Sequence, residues 1–321
     1  MEAKVTTLRE ALAEVGVPDS GTGKRLEYID IDDIRPDPRN FYELSGIDEL
    51  AANIELFVEP GDFVVIGGYA SSGKTMLSLQ MALVLAERYR VGYFSLETSP
   101  GKLFARLIAH RAGVGLKQIK HRDLAPGEVD RLTRAATELD KLPLELVQAG
   151  GMSVSDIQAV ALAKRYEVIF VDYLQLADAP GSSRYEKVTA ISIALHTLAQ
   201  THGITVIALA QLTRPEKSKG KPPPPSMQSF RESGQIEQDA DVAMLLYPED
   251  PDDNNSRRIL KVSKNKEGEK LKLELEFDDA TGWGVTTVRN WRRRTGREAN
   301  PRKGRKETHG SKSDDPAGGS G

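Results

Sequence analysis

The sequence predicts an α/β fold built on a mostly parallel sheet that finishes in antiparallel edge strands. Three observations point there. Uninterrupted apolar runs such as 168-VIFV-171 and 204-ITVIALA-210 have the composition of strands buried on both faces. Segments of helical periodicity separate those runs, and helices between successive buried strands imply a parallel sheet. Near the C-terminus the alternation stops, and strand-like segments follow one another with only turns between them.

Residues 1–57 read as a mixed leader: a helix over 8–15, a Gly/Ser break at 19-DSGTGK-24, then a short strand, a proline turn and a helix across 28–57. Globular character begins at Pro60-Gly61, where 62-DFVVIG-67 opens a buried strand. A strand over 91–97, helices over 101–113 and 127–142, a strand over 144–148 and a helix over 153–166 follow. A strand over 167–176, a Gly/Ser loop, a helix over 188–203 and a strand over 204–212 complete the alternating part. The segments 241–247, 257–264, 270–277 and 282–288 are expected to be the antiparallel edge. The main domain is therefore 58–290. From Trp291 onward the chain is basic through 292-RRR-294 and 302-RKGRK-306 and almost devoid of apolar residues, so a disordered tail is expected, either solubilising or touching nucleic acid.

Composition narrows the setting. The 321 residues contain no cysteine, which excludes disulfides and thiolate zinc sites and fits a reducing, cytoplasmic compartment. No run approaches the roughly 18 apolar residues of a membrane helix, and no signal sequence opens the chain, so no membrane partner is expected. A net charge of −3 offers no global pull on nucleic acid, and any such binding must come from a local basic surface.

The chemistry concentrates in 65-VIGGYASSGKTMLSLQ-80, a strand end, a glycine-rich turn and a helix start. The turn fits the phosphate-loop pattern G-x-x-x-x-G-K-[ST]. Its backbone N–H groups can converge on an anion while the helix presents its positive dipole end to the same place. Gly68 and Gly73 permit the turn, Lys74 brings a cation to the β/γ-phosphates of ATP, and Thr75 brings a hydroxyl to Mg²⁺. With Ser71, Ser72 and Met76 these residues form the expected nucleotide-binding set. Asp172, ending the strand 168-VIFVD-172, is expected to hold the Mg²⁺ through water. Glu97, ending 93-YFSLE-97, is the candidate carboxylate to orient and deprotonate attacking water. Gln211, ending 204-ITVIALAQ-211, is a candidate γ-phosphate sensor. Each of these three also fits a plain polar strand end or a helix cap.

In this order the four pieces resemble the RecA-type ATPase core. The longer stretches 93-YFSLETSPGKLFARLIA-109, 168-VIFVDYLQL-176, 208-ALAQLTR-214 and 230-FRESGQIEQDADVAMLLY-247 resemble the motor domain of DnaB-type replicative helicases over about residues 58–288. RESGQIEQDAD is the most specific of them. The resemblance implies a RecA-like P-loop NTPase core and a DNA-stimulated ATP hydrolase that uses ATP and Mg²⁺. It further implies a homo-hexameric ring acting on single-stranded DNA in replication, with ATP between neighbours and a primase or loader as partner. By position it implies that Lys74 and Thr75 bind phosphate and Mg²⁺, Glu97 activates water, Asp172 supports the metal and Gln211 couples nucleotide state to nucleic acid. Arg231, Glu232 and Gly234 of 230-FRESG-234 match a loop that grips DNA phosphates, through charge and backbone N–H groups. Read from its residues alone, RESG is a loop with a helix cap. In the turn 261-KVSKNKEGEK-270 the family carries a lysine and an arginine, two apart, reaching into the neighbouring subunit's ATP. Here Lys264 and Lys266 stand there, keeping the charge and losing the planar bidentate fork. RecA-type recombinases use paired lysines at a comparable place.

The helicase family ordinarily carries a helical N-terminal domain, for which the 57 leading residues are too few. Residues 29–56 resemble the opening of ParB-type partition proteins and stop short of the part that binds nucleotide and DNA, so no such activity is implied. The helix over 46–57 is expected to act as a linker, docking on an adjacent subunit through Leu50, Ile54 and Leu56 or Phe57. The loop 214–230 is basic and proline-rich, a solvated linker or a nucleic-acid contact. Two other functions fit parts of the sequence. One is a RecA-like switch serving as loader, recombination mediator or partition factor without strand unwinding. The other, a small-molecule phosphotransferase, leaves RESGQIEQDAD and SKNK unexplained.

Overall fold

The structure, a computed structural model, describes residues 58–213, 224–230, 234–253, 256–268, 270–278 and 283–290. Strand β1 (Phe63–Gly68) leads into helix α1 (Lys74–Leu85), and β2 (Val91–Ser95) into α2 (Pro100–Ala112). The short α3 (Leu116–His121) and α4 (Glu128–Leu139) precede β3 (Leu144–Gln148). Then α5 (Val154–Lys164) precedes β4 (Val168–Asp172), and α6 (Arg184–His202) precedes β5 (Thr205–Gln211). Last come α7 (Gly234–Asp239), β6 (Val242–Pro248), β7 (Arg258–Asn265), β8 (Lys272–Asp278) and β9 (Trp283–Asn290).

These strands form one nine-stranded sheet in the order β3-β2-β4-β5-β1-β6-β7-β8-β9. Pairing is parallel from β3 to β6 and antiparallel from β6 to β9. The β1 strand lies between β5 and β6, so its C-terminal end opens into the crevice where open α/β sheets collect ligands. Strand alternation sends Val64 and Ile66 to one apolar layer and Phe63 and Val65 to the other. The first layer takes Leu77 and Met81 of α1, Leu103 and Leu107 of α2 and Leu132 of α4. The second takes Ile157 of α5 and Ile191, Leu195 and Leu198 of α6. Each such fully buried side chain contributes about 1.5–3 kcal/mol, which makes the sheet the rigid support of its loops.

The predicted fold class holds, with local differences. The segment 241–247, expected to be antiparallel, pairs parallel with β1 and antiparallel only with β7. The connection through α7 returns the chain to the starting end of the sheet before β6 begins, so β6 is the turning point of strand direction. The segment 167–176 is strand only to Asp172; Leu174–Leu176 form one 3₁₀ turn after a cis Asp172–Tyr173 peptide. Helix α6 starts at Arg184 because Ser183 caps it, its Oγ accepting from the Glu186 N–H at 3.2 Å. The leader 1–57, the tail 291–321 and loop residues 214–223 lie outside the described residues. Among the described residues no helix is long and apolar enough to cross a membrane.

Candidate active site

The loop between β1 and α1 is built as its sequence requires. Gly73 enters α1 with φ +99°, and Ser71 also holds a positive φ of 63°. At Gly68 a Cβ would stand 2.5 Å from Ser72 Oγ and 2.8 Å from the Leu246 carbonyl, so only glycine fits. The buried Lys74 folds back over the loop, its Nζ donating to the carbonyls of Gly68 at 2.8 Å and Tyr69 at 3.0 Å. Burial lowers its pKa to about 8, against the pull of the Asp172 and Glu97 carboxylates. Ser72 Oγ is buried without a hydrogen-bond partner. Met76, half-buried, turns its sulfur to Arg106 of α2 at 4.0 Å.

Asp172, at the end of β4, meets this loop although β5 separates the two strands. Thr75 Oγ1 donates to Asp172 Oδ2 at 2.9 Å, and Tyr93 OH donates to the same oxygen at 3.0 Å. Burial raises the Asp172 pKa; the two hydroxyl donors and Lys74 oppose the rise. Behind Tyr93 lies Ser78, 2.8 Å from the phenol oxygen and donating to the Thr75 carbonyl at 3.0 Å. A backbone cradle, a buried ammonium, an orphaned serine hydroxyl and a hydroxyl–carboxylate pair form a donor set that fits a polyphosphate with a hard divalent cation.

Glu97 is exposed two residues beyond β2, in a turn closed by Ser95, whose Oγ donates to the Thr98 carbonyl at 2.6 Å and accepts from the Thr98 N–H at 3.2 Å. Its charge acts on Lys74, Asp172 and Tyr173, so it faces the loop. Gln211 ends β5, and Leu212 N–H donates to the same Gly68 carbonyl that Lys74 uses, at 3.0 Å. The structure thus gathers Gly68, Ser72, Gly73, Lys74, Thr75, Glu97, Asp172 and Gln211 at one end of the sheet.

Lys264 and Lys266 lie elsewhere. Lys264 pairs with Ala243, which lies level with Val65, and Asn265 pairs with Val242, toward the start of β1. At about 3.3 Å per residue these lysines sit roughly 10–17 Å down the sheet from Gly68. Lys264 Nζ donates to the Glu237 and Gln238 carbonyls at 2.7 and 3.0 Å, capping α7, and Lys266 Nζ pairs with buried Asp241. Gly234 opens α7 with open space around it, while Arg231 and Glu232 lie outside the described residues.

Tyr93, Ser78, Ser95 and Gln175, the last bonded to Gln211, are site residues that the motif reading does not find. A tyrosine inside a fully buried strand was the available signal, because its hydroxyl must find a partner.

Residues 44–282 match the model of the DnaB-like helicase C terminal domain. The chain is 36% identical over 242 residues to the replicative DNA helicase DnaB of Treponema pallidum, covering 73% of this chain and 53% of that one. It is 32% identical over 225 residues to a probable plasmid replicative DNA helicase of Chlamydia trachomatis, covering 68% and 49%. The chain spans about half the length of these curated relatives. Among solved structures, an isolated ATPase domain superposes with a TM-score of 0.66 at 28% identity, covering 75% of this chain and 89% of that one. A DnaB-like replicative helicase, from a structure describing its interactions with primase, gives 0.67 at 29%, covering 75% and 62%. Both neighbours are RecA-like helicase ATPase domains, and this chain shares that fold.

Proposed function

The chain belongs to the family of DnaB-like helicase C-terminal domains, and from that premise we propose that it is an ATP-driven motor of DNA replication, moving on single-stranded DNA as a ring of six copies. ATP occupies the β1–α1 loop at the boundary between two copies. Thr75, and Asp172 through water, would hold Mg²⁺, which would supply positive charge to offset that of the phosphates. Lys74 exchanges the Gly68 and Tyr69 carbonyls for phosphate oxygens. Glu97 takes the proton of the attacking water, and Gln211 passes the state of the γ-phosphate to the DNA-facing loop. Arg231, Glu232 and Gly234 hold the DNA backbone. The compartment is the cytoplasm, the segment 46–57 serves as linker to the next copy, and a primase or loader is the expected partner. The basic tail from Trp291 extends the contact with nucleic acid.

The observation that carries this reading is the position of Lys264 and Lys266. They sit too far down the sheet to serve the phosphate loop of their own chain, and they match the family's residues for reaching the neighbour's. The test is the ATPase rate at low salt with and without single-stranded DNA, beside Glu97→Ala and Arg231→Ala. Strong stimulation by DNA, abolished hydrolysis in Glu97→Ala and loss of only the stimulation in Arg231→Ala are expected. Slow hydrolysis indifferent to DNA would overturn the motor reading.

A further inference from the structure

We infer that Tyr93 is a positioning residue for the divalent-cation site, acting through Asp172 and itself held by Ser78. The inference rests on the function proposed above. Tyr93 comes from β2 and is wholly buried, its ring stacked on Phe170 at 5.5 Å and 15°. For packing alone a phenylalanine would serve equally, so the hydroxyl is the part that calls for an account. Placing it inside an apolar layer is unfavourable unless it is hydrogen-bonded. It has two partners, Asp172 Oδ2 at 3.0 Å and Ser78 Oγ at 2.8 Å.

Counting protons gives the chain a direction. Tyr93 has one hydroxyl proton, and the carboxylate of Asp172 can only accept it. Ser78 then supplies its own proton to the phenol oxygen or to the Thr75 carbonyl at 3.0 Å, both within its reach. Tyr93 donates to Asp172 Oδ2, Thr75 donates to the same oxygen from the other side, and Ser78 stands within hydrogen-bond reach of both the phenol oxygen and the Thr75 carbonyl. Thr75 has a second duty as a ligand. Tyr93 has none, since it is sealed from solvent and reaches the site only through Asp172. It is therefore the donor that holds the carboxylate still whatever Thr75 does. Ser78 ties that donor to the first turn of α1, which carries Lys74 and Thr75, so the two halves of the site keep one spacing. Outer partners of this kind typically change metal affinity 10–100-fold when removed.

The test is a titration of Mg²⁺ into the full chain with a fluorescent ATP analogue, comparing the parent with Tyr93→Phe and Ser78→Ala. Tyr93→Phe should need about tenfold more Mg²⁺ for half-maximal binding. Its affinity for the analogue in EDTA should stay unchanged. Ser78→Ala should need about threefold more, and it carries the test if Tyr93→Phe does not fold. A folded Tyr93→Phe, or failing it Ser78→Ala, that matches the parent's Mg²⁺ requirement overturns the inference and leaves the proposed function standing. A parent whose analogue binding ignores Mg²⁺ overturns both, and that result is visible in the parent alone.

Discussion

The side-chain amide of Gln175 grips both backbone groups of Gln211, its Nε2 donating to the Gln211 carbonyl at 2.9 Å and its Oε1 accepting from the Gln211 N–H at 3.1 Å. Such a two-point hold fixes the end of β5 against the 3₁₀ turn that follows Asp172. Gln175→Ala should lose about 1–2 kcal/mol of stability by urea unfolding. It should also lower DNA-stimulated ATP hydrolysis about tenfold while the basal rate changes little. An unaltered stimulation ratio would show that the hold serves stability alone.

The depressed pKa of Lys74 predicts a pH signature of the nucleotide-free chain. Lys74 is neutral above about pH 8 in the folded state and above the ordinary lysine value of 10.5 when unfolded. Between those values the unfolded chain binds more protons, so stability rises with pH through that window. Lys74→Met should lack this component. The parent-minus-variant difference in urea midpoint, followed from pH 7.5 to 10.5, checks it. Adding nucleotide should flatten the difference, because phosphate favours the charged lysine.

Asp172 gives the opposite sign. Its carboxyl is raised by burial, so the folded chain binds the extra proton and stability falls as pH rises from the ordinary value of 3.8 through the raised one. Asp172→Asn keeps an acceptor for Thr75 and Tyr93 and removes the buried charge. It should melt higher than the parent at neutral pH while losing at least about tenfold in Mg²⁺-dependent hydrolysis. Differential scanning calorimetry beside an ATPase assay reads both.

Complementation tests whether Lys264 and Lys266 serve a second copy. A Lys264→Ala, Lys266→Ala chain keeps Glu97, and a Glu97→Ala chain keeps the lysines. Each should be inactive alone. Mixed in equal amounts before assembly, they should recover about a quarter of the parent's rate, because two independent chances of a half must coincide at each boundary. No recovery would place the lysines' role within their own chain.

Phe230 is buried against β1, its ring occupying the space a Cβ on Gly67 would fill, with only 2.5 Å between them, and Leu212 lies alongside. It anchors the start of the segment that continues into Arg231. Phe230→Ala should cost about 3 kcal/mol by urea unfolding. Gly67→Ala should destabilise through collision, and Gly67→Ala with Phe230→Leu should recover part of the loss, as a thermal melt of the three variants would show.

The site was legible in the sequence wherever its chemistry is contiguous or ends a strand. Gly68 to Thr75 form one unbroken turn, and Glu97, Asp172 and Gln211 each close an apolar run that had to be a buried strand. The contacts that orient them were hidden because they depend on strand order. Tyr93 reaches Asp172 only because β2 pairs with β4, with Tyr93 level with Phe170 and Ser95 with Asp172. Lys264 caps α7 only because β7 lies against β6. The start of α6 is obscured in the sequence for another reason. The Ser183–Glu186 spacing of a capping motif was present, but it sits in a Gly/Ser stretch that also reads as loop.

The separation between the phosphate loop and the Lys264–Lys266 turn constrains the symmetry of any assembly that uses both. Two copies related by a two-fold axis could serve each other's loops only as a closed pair, with both loop–lysine contacts in one interface. A head-to-tail contact completes one site per boundary, and repeating it yields either a closed ring or an open spiral. A spiral always has one boundary fewer than it has copies, so one loop waits without lysines and one lysine pair waits without a loop. Closing the ring supplies the missing boundary, and a count of tightly bound nucleotides per assembled chain would register closure as the gain of one.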